Sequence, residues 1–345
     1  EYVDGVSLEQ LWEHEGILPW DLLASVLDQI LLGLAHLHAR GLVHRDLKPA
    51  NVMLSDGPQG PRVTILDLGL AAFRDVAILD IMRPEEELLH SQVARFATPP
   101  YCAPEQLLRH AMFLGPTTDL HAVGVLLYQF STGELPFPGE TDAELLDAVL
   151  RRTPRRFTPR NGAPEAVGEL VRRLLAKRPW QRYDFSTRVR DVLEALWQPD
   201  RATEAWHEVR RRHHFRQTMP EIDLGPISDR LAASALMALQ VSEVIGRRRE
   251  QQLLTRAAET VVAGQQRLVA LLGEAGVGKS RLGQWLVEQV HERGQMHTLR
   301  ISYGRSGGAL SGILGALEQT FGFAGAPLPM IERALITRWG RGEEA

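Results

Sequence analysis

The octapeptide His44-Arg45-Asp46-Leu47-Lys48-Pro49-Ala50-Asn51 places a carboxylate, an ammonium and a carboxamide within six positions. It follows a stretch, Pro19 to Arg40, in which Leu22, Leu23, Val26, Leu27, Ile30, Leu34 and Leu37 recur at helical spacing. Pro19 suits an early helical position and Gly41 closes the far end. Beyond the octapeptide lie two short extended stretches, Val52–Leu54 and Val63–Leu66, parted by a turn rich in Gly and Pro. Asp67 to Glu105 has weak periodicity and reads as a long functional loop. Helical patterns resume at about Asp119–Ser131, Asp142–Arg151, Pro164–Ala176 and Phe185–Trp197. A basic, His-rich run, Arg201 to Gln217, reads as a solvated helix or linker, the alternative being a contact surface for another domain or an acidic partner.

The length of 345 residues has room for two domains. With 44% hydrophobic and 24% charged residues the composition is that of ordinary soluble globular protein. A net charge of −4 gives no global field for nucleic acid or an anionic membrane, so no nucleic-acid site is expected within the chain. The single cysteine, Cys102, excludes an internal disulfide and points to a reducing, cytoplasmic setting. No membrane segment is expected, because the longest apolar candidate, Leu22 to Leu37, is interrupted by Ser25, Asp28, Gln29 and His36. The sequence opens at Glu1 without a signal-peptide pattern, and both ends read as falling inside domains, as in a fragment.

Moving a γ-phosphoryl group to a hydroxyl needs a carboxylate to orient the attacking oxygen and accept its proton, a cation to offset charge, and oxygen ligands for Mg²⁺. Asp46, Lys48 and Asn51 supply those chemistries, and Asp67 can add the carboxylate that holds the metal on the phosphates. Here the sequence closely resembles the eukaryotic-type protein kinases, which also occur in bacteria, over their larger, C-terminal lobe. The resemblance implies an α+β, mostly helical large lobe with Asp46 as catalytic base and Lys48 as the phosphate-contacting lysine of the Ser/Thr branch. Asn51 and Asp67 would be metal ligands, and Arg45 would pair with a phosphorylated activation-loop residue, for which Ser91 is the most plausible hydroxyl. Thr98 resembles the threonine that bonds Asp46 and Lys48. Glu105, in Ala103-Pro104-Glu105, would form a buried ion pair with Arg182, and Asp119 would support the catalytic-loop backbone. The sequence departs from the family at Leu68, where phenylalanine is usual, at His121, where tryptophan is usual, and at Arg178, where aspartate is common. Neither the Gly-rich loop nor the lysine–glutamate pair of the small lobe precedes His44; Glu1 to Gly5 resembles the hinge between lobes and Leu8–Trp12 the short helix after it. The piece alone is therefore expected to have negligible kinase activity.

A second motif, Gly273-Glu274-Ala275-Gly276-Val277-Gly278-Lys279-Ser280, fits G-x-x-x-x-G-K-S in full. It lies between a predicted apolar strand, Arg267–Leu272, and a predicted helix, Lys279 to Glu292, the start of an α/β unit. Gly273, Gly276, Val277 and Gly278 would turn successive backbone N–H groups toward phosphate oxygens, Lys279 would reach the β- and γ-phosphates, and Ser280 would ligate Mg²⁺. Val244 to Leu254 resembles the entry segment of AAA-type and STAND-type P-loop ATPases. Further on, Met296–Tyr303 is predicted as a second strand and Ile313–Phe321 as a helix, with no Walker B acid before Ala345.

The resulting division is a kinase large lobe over 1–198, a linker over 199–242 and the N-terminal part of a P-loop ATPase over 243–345. The combination resembles large bacterial regulators that couple a Ser/Thr kinase to a STAND-type module. It implies ATP and Mg²⁺ as cofactors, nucleotide at two sites, protein substrates bearing Ser or Thr, and nucleotide-dependent self-assembly. The alternatives are a catalytically silent kinase fold acting as scaffold for a nucleotide-switched regulator, and a nucleotide-regulated transcription factor.

Overall fold

The structure is a computed structural model, and it describes residues 3–58, 60–67, 72–73, 99–108, 114–212, 244, 246–274 and 276–298. Leu68, Ser91 and Thr98, and the predicted helix Ile313–Phe321, lie outside the described residues.

The organising element is helix α2 (Trp20–Ala39). Asp21 in its first turn complements the helix dipole, and Gly41, at φ 75°, turns the chain away just past its end. Fourteen of its twenty residues are buried, and Asp21, Asp28, Leu32 and His36 lie along the one stripe that is not. By length and mean hydropathy, 1.4, it could cross a membrane, since Ser25, Asp28, Gln29 and His36 do not outweigh its leucines. Its packing against six other elements makes it the core helix of the lobe. Each fully buried leucine there contributes about 2 kcal/mol.

Around α2 the lobe is built in chain order. Strand β1 (Val6–Ser7) leads into α1 (Leu8–Glu15), which Ser7 and Gln10 start with a reciprocal capping box. After α2 comes β2 (Leu42–Val43), then the octapeptide loop, whose last residues, Pro49–Asn51, form a single 3-10 turn. Strands β3 (Val52–Gly57) and β4 (Gly60–Ile65) make an antiparallel hairpin in the register Val52↔Ile65 to Gly57↔Gly60, and β1 pairs with β3 on the other side. β5 (Ala72–Phe73) pairs antiparallel with β2. The expected extended stretches are thus one hairpin, longer than read, because Gly57 and Gly60 carry the pairing into the turn.

Helices α3 (Pro104–Leu107), α4 (Pro116–Thr132), α5 (Asp142–Arg151), α6 (Val167–Leu174) and α7 (Ser186–Glu194) follow. In α4 fifteen of seventeen residues are buried, and Gly124 lets α6 come close, since a Cβ there would meet Leu174 Cβ at 2.7 Å. The basic run begins as helix α8 (Pro199–Arg212), which is more than a solvated face. Ala202, Trp206 and Val209 are buried against α2 and β4, while Arg210 pairs with Asp56 at 2.6 Å and Arg212 with Glu15 at 3.1 Å. The apolar period of three to four residues inside a charged segment was the overlooked signal.

The remaining described elements are α9 (Arg248–Val262) and α10 (Lys279–Glu292). The expected strand Arg267–Leu272 is not one: it joins no ladder among the described residues, and Leu268 and Leu272 are 99% and 91% exposed. A strand exists through its hydrogen-bonded neighbour, and of the expected partner, Met296–Tyr303, only 296–298 are described, in irregular conformation. The C-terminal end of α10 rests on α2 and α7: Glu292 Oε1 lies 2.7 Å from an Arg40 guanidinium nitrogen and 3.0 Å from His36 Nδ1, and the Phe185 ring touches those of His291 and His297. Burial, then the Arg40 charge, lowers the His36 pKa, so His36 serves near neutral pH as a hydrogen-bonding group.

Candidate active site and nucleotide loop

The octapeptide is held from beneath by Asp119, in the first turn of α4 and fully buried. Its Oδ2 accepts from the His44 backbone N–H at 2.9 Å and its Oδ1 from that of Arg45 at 2.8 Å. Oδ2 also lies 2.8 Å from His38 Nε2 on α2, while His38 Nδ1 is 3.2 Å from Ser186 Oγ. Burial pushes the Asp119 carboxyl up, but the His38 hydrogen bond and charge and the Arg45 N–H outweigh it and leave the pKa below the ordinary value. This anchoring fixes Arg45 in the left-handed region at φ 67°, a conformation that costs about 1–3 kcal/mol in a non-glycine residue. From the other side Gln106 Nε2, on α3, donates to the Arg45 carbonyl at 2.7 Å.

Arg45's turn aims the next side chains at one point. Lys48 Nζ lies 2.8 Å from Asp46 Oδ2, and Asn51 Nδ2 donates to both the Asp46 carbonyl, at 2.8 Å, and Asp46 Oδ2, at 3.0 Å. Asp46 and Asn51 are buried, while Lys48 is partly exposed. His44 ties this cluster to the end of β4: its Nδ1 accepts from the Asp46 N–H at 3.3 Å, so Nε2 carries the proton and donates to the Leu66 carbonyl at 3.0 Å. The Leu66 N–H in turn donates to the Asn51 carbonyl at 2.8 Å. Asp67, next in the chain, is exposed and left-handed at φ 58°. The structure therefore brings Asp46, Lys48 and Asn51 together and ties Asp67 one residue away. His38 and Gln106, which sequence reasoning missed, position the loop without being part of it. For His38 the only trace was an imidazole between Leu37 and Ala39 at the end of α2.

A divalent cation and nucleotide fit the donor set. Both Asn51 amide hydrogens are committed to Asp46, which leaves Oδ1 as the atom the amide could offer a metal, and hard oxygen donors such as this one and a carboxylate suit Mg²⁺. Among the described residues no three His, Cys, Asp or Glu side chains converge, so such an ion would share its ligands with phosphate oxygens.

Behind the cluster, Glu105 and Arg182 form the buried pair expected of them, at 2.7 and 2.9 Å. Cys102 is buried, and burial raises its thiol to about 12, so it is no nucleophile. His121 is fully buried, stacks on Phe137 and has no hydrogen-bond partner for either ring nitrogen among the described residues. Burial, then the charges of Arg182 and Lys177, holds its pKa well below 6.5. Burial and Arg182 also pull the Lys177 ammonium down to about 7, although its two backbone-carbonyl acceptors at 2.6 and 3.2 Å and the Phe137 ring beneath it favour the charged form.

The second motif closes around α10. Gly273, Gly276 and Gly278 sit at φ 158°, 83° and 89°, and the Gly276 and Gly278 angles exclude side-chain-bearing residues without strain. Lys279 and Ser280 begin α10 at its positive end. Lys279 Nζ donates to the carbonyls of Gly273 and Glu274 at 2.9 and 2.6 Å, spanning the loop that phosphate would fill, and Arg247 donates to the Val277 carbonyl at 3.0 Å. Val277 is partly exposed. A phosphate fits: the ammonium's acceptors here are neutral carbonyls, which an anion outcompetes.

Residues 1–197 match the protein kinase domain family model. The chain belongs to the protein kinase family. Residues 243–335 match the AAA ATPase domain model, so the fold class is a protein-kinase large lobe, mostly helical, followed by an AAA-type P-loop domain. Among curated relatives, the serine/threonine-protein kinase PknD of Chlamydia pneumoniae is 30% identical over 56% of this chain and 22% of its own length. Pkn1 of Myxococcus xanthus is 35% identical over 56% and 26%, and PknL of Mycobacterium tuberculosis 34% identical over 57% and 46%. This kinase-family chain thus spans between about a fifth and just under half the length of these relatives.

Proposed function

We propose that the protein of which this chain is part transfers the ATP γ-phosphoryl group to Ser and Thr hydroxyls of protein substrates, and that a nucleotide-binding ATPase module is coupled to that output. One observation carries the reading: Lys48, Asp46 and Asn51 converge within 2.8–3.0 Å on a loop locked by Asp119. Asp46 accepts the proton of the attacking hydroxyl as its oxygen bonds to the γ-phosphorus. The Lys48 ammonium offsets charge on the transferred group, and ADP leaves with the bridging oxygen. Asn51 and Asp67 would hold Mg²⁺, which when bound neutralises charge on the β- and γ-phosphates. Thr98 supports the Ser/Thr preference together with Lys48.

At the second site Gly273, Gly276, Val277, Gly278 and Lys279 hold the phosphates of a second nucleotide, and Ser280 a second Mg²⁺. We assign to this module the role of a STAND-type switch in bacterial signal transduction, with nucleotide-dependent self-assembly, in the cytoplasm. The single cysteine, Cys102, a buried free thiol, fits that reducing setting.

The test is phosphate transfer to a Ser/Thr peptide by the whole protein, with Asp46→Asn and Lys279→Ala beside it. Loss in Asp46→Asn alone supports a kinase with basal activity independent of the P-loop, and loss in both supports a nucleotide-gated kinase. Transfer that survives Asp46→Asn at the wild-type rate overturns the reading.

A further inference from the structure

Between α5 and α6 the chain runs Arg151-Arg152-Thr153-Pro154-Arg155-Arg156-Phe157-Thr158-Pro159-Arg160, five arginines in ten positions. The segment is pinned to the lobe rather than tethered loosely. The Arg155 N–H donates to the Pro136 carbonyl at 3.2 Å, that of Arg160 to Ser131 at 2.8 Å, and the Tyr128 hydroxyl to the Arg156 carbonyl at 3.4 Å. Phe157 packs on Tyr128 with ring centroids 5.8 Å apart, and two prolines restrict the backbone further. With α6 the segment borders a cavity of about 820 Å³, with Phe157, Ala163 and Val171 among its apolar walls and Arg155, Arg156 and Arg172 at its edge.

Six arginines, Arg172 included, stand beside four carboxylates, Asp147, Glu134 and the cavity-lining Glu165 and Glu169. Arg151 and Arg152 share Asp147, at 3.7 and 3.1 Å, and Arg155 and Arg160 share Glu134, at 3.0 and 3.9 Å. Arg156 is exposed and has no ion-pair partner among the described residues. Arg172 is paired to Glu169 on its own helix, but that pair too is open to solvent. Exposed pairs of this kind are weakly held, so an arriving carboxylate can take over part of each fork without leaving a buried charge behind.

We propose that this groove is a docking site for an acidic peptide segment of a partner protein, with carboxylates on the Arg155–Arg156 edge and one apolar side chain against Phe157 and Ala163. A pre-held backbone lowers the ordering cost of such a complex, and a concave apolar wall beside a charged rim takes a side chain rather than a flat backbone. On the kinase reading the partner is a substrate recruited away from the phosphoacceptor, but the binding itself does not require phosphotransfer.

The experiment is fluorescence anisotropy of the whole protein with a labelled peptide of glutamates around a central leucine, without nucleotide. Binding should weaken about tenfold in Arg156→Glu, as expected for losing a charge-assisted contact and gaining a repulsion. It should weaken several-fold when the peptide's leucine is replaced by asparagine, and fall with added salt. Arg156→Ala should lie between wild type and Arg156→Glu, with an unchanged melting midpoint for all three. No binding by wild type at low salt, or wild-type affinity in Arg156→Glu, overturns the proposal. So does tighter, Arg156-dependent binding of a single-stranded oligonucleotide or of anionic phospholipid vesicles. Because no phosphate is transferred in the assay, its failure leaves the kinase reading standing, and the reverse.

Discussion

Replacing Glu105 by glutamine isolates the ion pair that holds the end of the activation segment to the rest of the lobe. The Arg182 side chain is fully buried and all five of its N–H donors are used: two on Glu105, and one each on the carbonyls of Ala176, Thr117 and Lys177. Glu105 also accepts from Thr118 Oγ1 at 3.0 Å. Glutamine keeps the shape but offers one acceptor where two stood, turns an N–H toward the guanidinium, and leaves a cation uncompensated where water cannot reach it. One lost charge-assisted hydrogen bond accounts for about 1.5–3 kcal/mol, and the stranded charge brings the total to about 3–5 kcal/mol. Against a typical domain stability of about 5–15 kcal/mol that is a large share. The urea midpoint should fall by about 2 M for an m-value near 2 kcal/mol/M. The double variant Glu105→Gln/Arg182→Met should cost less than the sum of its parts by about 2 kcal/mol or more. Phosphotransfer should fall as well, because Gln106, on the same short helix, holds the Arg45 carbonyl. A Glu105→Gln protein destabilised by less than about 1 kcal/mol, with no coupling to Arg182, would refute the reasoning.

Three further outcomes are expected. His121 has a folded pKa well below its ordinary 6.5, so above 6.5 neither state takes the proton, whereas below it the unfolded chain does and the native state does not. Stability should therefore fall with pH from about 6.5 downward by up to about 1.4 kcal/mol per unit from this group. His121→Phe should remove that slope in pH-dependent urea melts and add about 1–2 kcal/mol at pH 7 by deleting two unbonded nitrogens; an unchanged acid slope contradicts this. Gly124→Ala should cost about 1–3 kcal/mol by overpacking, because its Cβ would stand 2.7 Å from Leu174 Cβ and 3.1 Å from Leu175 Cδ2, and a neutral melting shift contradicts it. Arg40→Ala and Glu292→Ala should show a coupling of about 1 kcal/mol in a double-mutant cycle on thermal unfolding, since Arg40 is mostly buried and Glu292 a quarter exposed; additive effects would remove the contact between α10 and α2.

The parts of the fold legible in the sequence were those that local chemistry determines. The period of Leu22 to Leu37 delivered α2, the pattern from Asp142 to Arg151 delivered α5, and the order of polar motifs placed Asp46, Lys48 and Asn51 on one loop. What was not legible depended on distant partners. His38 matters because Asp119 lies 81 positions away in sequence and 2.8 Å away in space, and no local pattern announces it. Trp206 was submerged in an arginine-rich run, although its indole N–H reaches Asp56 in the β3–β4 hairpin at 3.1 Å. The strand read at Arg267–Leu272 failed for the complementary reason: apolar composition suits a strand but does not supply its neighbour.

The central claim is that Asp46 takes the proton of a Ser or Thr hydroxyl on a loop that Asp119 has shaped for it. Single-turnover phosphate transfer by the whole protein, wild type against Asp46→Asn at saturating ATP, tests this most directly. The Asp46→Asn rate should be about 10²–10⁴-fold lower with ATP affinity retained. Equal single-turnover rates in the two proteins would contradict it.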